Sequence, residues 1–179
     1  MSESAPAGKF PQVLCSRPEE TAELGRALSG ALYGGLLVLL SGDLGTGKTF
    51  LVKSIGDALG ITDMRSPTFV IESVHLSPNV NFPIIHADLY RLDDPSGTVL
   101  QLEEYTRDGA AVLVEWGERW ASPPARGRWN IDIRLGGGPG EECRLISMSG
   151  YGVTALGKLS DAYARLPDAI IAGGARSCP

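Results

Sequence analysis

Leu36-Leu37-Val38-Leu39-Leu40-Ser41-Gly42-Asp43-Leu44-Gly45-Thr46-Gly47-Lys48-Thr49 is the stretch that decides the fold of this chain. Its first five residues are all aliphatic and follow Gly34-Gly35, the pattern of a short strand buried on both faces, as in a parallel sheet. Its last eight match GxxxxGK[ST] in full. Beyond them, Leu51, Val52, Ile55, Ala58 and Leu59 share one helical face, and Gly60 suits the residue just past a helix end. Strand, glycine loop and helix, in that order, are what a phosphate-binding loop needs. The backbone N–H groups of Asp43, Leu44, Gly45, Thr46 and Gly47 can curl around phosphate oxygens, and the helix N-terminus favours negative charge. Lys48 would reach the β and γ phosphates, and Thr49 would offer its hydroxyl to Mg²⁺.

A phosphate loop of this type also needs an acid for the metal, at the end of a neighbouring strand. Two residues qualify: Glu115, closing the apolar run 110–114, and Asp88, following Ile84-Ile85. One could serve the metal and the other orient the attacking water, and the spacing leaves the assignment open. Trp116 and Trp120 read first as packing residues, His86 as a buried strand residue, and Arg91 and Arg144 as surface arginines.

The remaining elements frame this core. A capping box with Ser16 as cap and Glu19 three residues on predicts a helix to about Tyr33. Strands are expected over 68–75, 82–90 and 110–114, and a helix over 95–108. Trp129, Ile131, Ile133 and Leu135 alternate as in a half-exposed strand, which turns at 136–140 into a partner strand from Cys143 to Met148. Leu156, Leu159, Tyr163 and Leu166 mark a last helix. The expected fold is α/β, like the P-loop NTPases: a mainly parallel sheet flanked by helices, with a C-terminal antiparallel hairpin. Residues 13–167 form one domain, with a flexible tail at 1–12 and a frayed one at 168–179.

Composition narrows the function. With 179 residues, 43% of them hydrophobic and 21% charged, the chain can bury a core without disulfide or metal staples. Sixteen Lys and Arg against 21 Asp and Glu leave a net charge of −5, which argues against autonomous tRNA or DNA binding. Three scattered cysteines and two histidines offer no zinc pattern. No apolar run approaches a membrane span and no signal peptide is visible, so a cytoplasmic location is expected. The guanine-reading Asn-Lys-x-Asp element is missing, which favours ATP.

Five segments then fall into a family pattern: GDLGTGKT at 42–49, SPTF at 66–69, HADLYRL at 86–92, EEY at 103–105 and VEWGERW at 114–120. Over roughly residues 13–150 the chain resembles the TsaE family, P-loop ATPases of the machinery that makes N6-threonylcarbamoyladenosine in bacterial tRNA. It departs from the usual pattern at Ala87, at Gly117 and over 96–102. The resemblance implies a Mg²⁺-dependent ATPase, weak alone, that drives or resets a complex of the proteins TsaD and TsaB, with tRNA contacted only through that complex. It implies that Thr49 and Glu115 hold Mg²⁺ and that Asp88 serves hydrolysis. It further implies that Ser66, Pro67 and Thr68 form a switch segment near the γ-phosphate, and that Trp116 lies near the nucleotide. Two other readings stay compatible with the residues: a small-molecule P-loop kinase, and a nucleotide-gated binding module without significant hydrolysis.

Overall fold

The computed structural model describes residues 6–64, 71–124, 127–136 and 143–171. In chain order the elements are β1 (Ala7–Lys9), β2 (Val13–Cys15), α1 (Pro18–Ser29), β3 (Leu37–Ser41), α2 (Lys48–Ala58), β4 (Glu72–His75), β5 (Ile84–Asp88), α3 (Ser96–Arg107), β6 (Ala111–Glu115), β7 (Arg128–Leu135), β8 (Arg144–Tyr151) and α4 (Val153–Tyr163). One sheet runs β1-β8-β7-β3-β6-β5-β4, with β2 also paired to β8. Its centre, β7-β3-β6-β5, is parallel; β4 and the β7–β8 hairpin add antiparallel margins.

The aliphatic run in β3 is explained by the two faces it covers. Val38 and Leu40 join the core under α1, α2 and α4, while Leu37 and Leu39 join the core under α3. Because side chains alternate along a strand, the same parity places other residues. Ala111 and Leu113 of β6 face the α2 side, so Glu115 does too; Ile84 of β5 faces that side, so His86 and Asp88 follow. Three polar side chains are thereby delivered to the face where α2 begins.

Several boundaries differ from the sequence reading. The first helix is capped at Arg17, with Pro18 at its first position, and ends at Ser29. Glu20, not Glu19, reaches back, accepting a 2.6 Å hydrogen bond from the Ser16 N–H. The cap residue carries no hydroxyl and Glu20 reaches the residue before it, so the box itself is not made. Residues 7–9, read as loose tail, pair with Ser149–Tyr151 in register Ala7↔Tyr151, which satisfies the outer edge of β8. The start of the other expected tail is also tied down: Asp168–Ile170 form a 3₁₀ turn, Ile170 is buried, and Ile171 bridges to Val13. The strand expected over 82–90 stops at Asp88. Gly60 ends α2 as expected, with φ +77° and hydrogen bonds from Gly60 N–H to Asp57 and from Ile61 N–H to Gly56, a Schellman closure.

Candidate functional site

The loop between β3 and α2 takes its shape from glycine. Gly42 has φ +134°, and a side chain there would run into the Ile133 carbonyl. Gly47, at φ +104°, turns the chain into the first residue of α2. The loop closes on itself where the Thr46 hydroxyl donates to the Asp43 carbonyl at 2.9 Å. Asp43, Leu44 and Gly45 are exposed at its rim, Leu44 to 74%.

Lys48 is buried, and its ammonium donates to the carbonyls of Gly42 (2.5 Å) and Asp43 (2.9 Å). Burial holds its pKa below the ordinary lysine value, against the opposing pull of Glu118, Glu115, Asp88 and Asp43. The ammonium also lies 4.0 Å from the ring centroid of Trp116, a cation–π contact.

Glu115 joins the loop to the sheet. Its Oε2 accepts a 2.6 Å hydrogen bond from the Thr49 hydroxyl, and its Oε1 lies 2.9 Å from Nε2 of the fully buried His86. Asp88 is the register partner of Glu115 across the β5–β6 pair and is half-buried, its Oδ1 accepting from the Tyr90 N–H at 2.9 Å. Both acids therefore stand at strand ends beside the loop, as the sequence implies. A hydroxyl and carboxylate oxygens are hard donors of the kind Mg²⁺ takes, with phosphate and water oxygens completing its shell. Among the described residues there is no cluster of three or more His, Cys, Asp or Glu that would make a self-sufficient metal cage.

Trp116 adopts φ +60°, and among the described non-glycine residues it alone has a positive φ. Such a backbone costs about 1–2 kcal/mol unless its surroundings hold it. Here the indole stacks on Tyr90 (4.6 Å between centroids, 28° between planes) as well as on Lys48. Arg119 ties the same turn to the β5 side by donating to the carbonyls of Tyr90 and Leu92. Trp120 packs in the α3-side core instead, as a packing residue.

The structure thus brings together Asp43, Leu44, Gly45, Thr46, Gly47, Lys48, Thr49, Glu115, Asp88 and Trp116. Ser66, Pro67 and Thr68 lie outside the described residues. Two participants escaped the sequence reading. His86 reads in the sequence as a buried strand residue, and it is buried, but its partner is the candidate metal acid. Tyr90 carries no signal in the sequence beyond its place two residues after Asp88. Among the described residues no helix is long and apolar enough to cross a membrane.

Comparison with known proteins shows the family and the fold. The family model described as threonylcarbamoyl adenosine biosynthesis protein TsaE matches residues 15–139. The chain is 39% identical over 136 residues to the tRNA threonylcarbamoyladenosine biosynthesis protein TsaE of Streptomyces coelicolor, covering 73% of this chain and 90% of that one. It is 40% identical over 131 residues to the protein of that name from Mycobacterium leprae, covering 69% and 80%. The crystal structure of Bacillus subtilis YdiB superposes with a TM-score of 0.69 at 24% identity, covering 91% of this chain and 98% of that one, which speaks to the fold.

Proposed function

The chain belongs to the TsaE family, and on that premise we propose that it is a Mg²⁺-dependent ATPase serving tRNA threonylcarbamoyladenosine formation. The observation that carries the reading is the 2.6 Å hydrogen bond from the Thr49 hydroxyl to Glu115. It spends the hydroxyl proton on the carboxylate and leaves the oxygen lone pairs available to a cation, so the loop and the acid act as one unit.

Bound Mg²⁺ would neutralise charge on the β and γ phosphates and orient them. The chain's own residues do the rest. The loop N–H groups of 43–47 hold the phosphates, and Lys48 exchanges the Gly42 and Asp43 carbonyls for phosphate oxygens. Asp88, register partner of Glu115, accepts a proton from the attacking water and aims it in line. Trp116 covers the lysine and limits its contact with solvent, and Tyr90 stacks on the indole. Turnover is slow in the isolated chain and rises with the TsaD–TsaB complex, through which tRNA is reached, in keeping with the net charge of −5.

The test is Mg²⁺-dependent phosphate release from ATP, with and without TsaB, TsaD and tRNA. Lys48→Ala and Glu115→Ala should abolish it. Asp88→Asn should bind ATP yet hydrolyse it roughly 10²–10⁴-fold more slowly, the usual worth of a positioned base. Rates unchanged by Glu115→Ala and Asp88→Asn would sink the reading. Phosphate appearing on a small molecule instead of in solution would make the protein a kinase.

A further inference from the structure

The turns that follow β5 and β6 begin directly after Asp88 and Glu115, and they are fixed unequally. The turn after Glu115 is anchored to the sheet. Gly117 lies so close to β3 that a Cβ there would stand 2.7 Å from Cβ of Leu39. Its backbone closes through Arg119 N–H to the Trp116 carbonyl (3.0 Å) and Trp120 N–H to the Gly117 carbonyl (3.1 Å). The turn after Asp88 is more open. Leu89 is buried and its carbonyl accepts from the Leu92 N–H at 3.3 Å, but Tyr90 and Arg91 between them are exposed.

Arg119 joins the two turns. Its Nη1 donates to the Tyr90 carbonyl and its Nη2 to the Leu92 carbonyl, so one planar guanidinium grips the 89–92 turn at two points. Tyr90 is also the residue whose N–H donates to Asp88 Oδ1 at 2.9 Å, the aspartate-to-backbone bond typical of a turn. The rotation of the 89–92 turn therefore decides where that N–H points, and with it one oxygen of the Asp88 carboxylate. The Tyr90–Trp116 stack bridges the same two turns. A ring stack alone tolerates sliding, whereas two hydrogen bonds from one planar fork fix the geometry.

We propose that Arg119 is a positioning residue for hydrolysis: through the Tyr90 turn it holds the Asp88 carboxylate in line with the attacking water. The inference rests on the reading of Asp88 as the base given above. Both terminal nitrogens of the guanidinium are spent on carbonyls, so Arg119 acts on the chemistry through Tyr90 and not as a cation on the phosphates. The Tyr90 end of the contact is exposed, so water satisfies the freed carbonyl when the guanidinium is removed. The loss then falls on the rate and not on the fold.

Single-turnover ATP hydrolysis by the full chain with TsaB, TsaD and tRNA tests it, alongside ADP affinity by calorimetry. The variants are Arg119→Ala, Arg119→Lys, Asp88→Asn and the double variant Arg119→Ala with Asp88→Asn. Arg119→Ala should slow hydrolysis roughly 10–100-fold, the scale of a small misplacement of a reacting group, and leave ADP affinity unchanged. Arg119→Lys, whose single ammonium cannot reproduce the fork, should recover part of the rate. In the Asp88→Asn background Arg119→Ala should cost nothing further, because no base is left to aim. A residue that merely supports the fold would cost the same factor in both backgrounds, and that result overturns the inference. Hydrolysis unchanged by Arg119→Ala, with Asp88→Asn slowed, removes this inference alone. Weakened ADP binding in Arg119→Ala would make the arginine a nucleotide contact and also overturns it. If Asp88→Asn hydrolyses ATP at the wild-type rate, the reading of Asp88 as the base falls and takes this inference with it.

Discussion

His86 Nε2 lies 2.9 Å from Glu115 Oε1, with both side chains buried and Thr49 on the other carboxylate oxygen. Hydrogen-bond arithmetic then selects a tautomer. His86 Nδ1 has no partner among the described contacts, so a proton there would be a buried donor left unsatisfied. With the proton on Nε2, that nitrogen donates to Glu115 and Nδ1 keeps only its lone pair. His86 is thus a positioning residue that fixes the rotation of the carboxylate.

Replacing His86 by Ala should therefore act on the metal before it acts on the nucleotide. We expect the Mg²⁺ concentration that supports nucleotide binding to rise roughly 10–100-fold, as for other groups that orient metal ligands. Binding of ADP measured in EDTA should stay the same, and His86→Gln should restore part of the Mg²⁺ response. Titrating Mg²⁺ into protein with a fluorescent ADP analogue reads this. Equal weakening with and without Mg²⁺ would count against the positioning role.

Trp116 allows a comparison that isolates backbone conformation. Both Trp116→Ala and Trp116→Gly lose the contacts with Tyr90 and Lys48. Only glycine accepts φ +60° without strain, so the Gly variant should be the more stable by about 1 kcal/mol, the reverse of the usual ranking. Urea unfolding of the two variants decides it.

Gly25 on α1 faces α2 so closely that a Cβ there would lie 2.5 Å from Cβ of Ser54. Gly25→Ala must push the two helices apart and should cost about 1–3 kcal/mol, the usual penalty of overpacking. A thermal melt reports the effect.

Cys15 gives a pH signature. Burial raises its thiol from the ordinary 9.0 to about 11, offset in part by a hydrogen bond with Thr21 and by Arg144, and reinforced by Glu20 and Glu23. The folded chain then holds a proton between these values that the unfolded chain releases. The stability this contributes is fully present below pH 9 and is lost as pH rises through about 11, an amount on the order of 3 kcal/mol. Urea midpoints across pH 8–11 should fall more steeply for the wild type than for Cys15→Ala. Tyr33 and Tyr163, also raised by burial, are common to both proteins and drop out of the difference.

What the sequence determined by itself is what depends on neighbours in the chain. The run 36–40, the glycines at 42, 45 and 47 and the helical spacing after Thr49 specify a strand, a curled loop and a helix, because backbone sterics and hydrophobic periodicity act locally. Asp88 and Glu115 could be picked out as acids at the ends of apolar strands for the same reason. Strand order was not legible, because parallel strands meet across distances that no local pattern encodes. The sheet alone decided that β6 would lie beside β3 and β5 beside β6, which brings Glu115 to Thr49 and His86 to Glu115. It alone decided that Ala7–Lys9 would close the edge of β8, a pairing too short to leave a pattern. Those contacts join residues far apart in the chain, and only burial of both faces of one sheet pays the entropy of bringing them together.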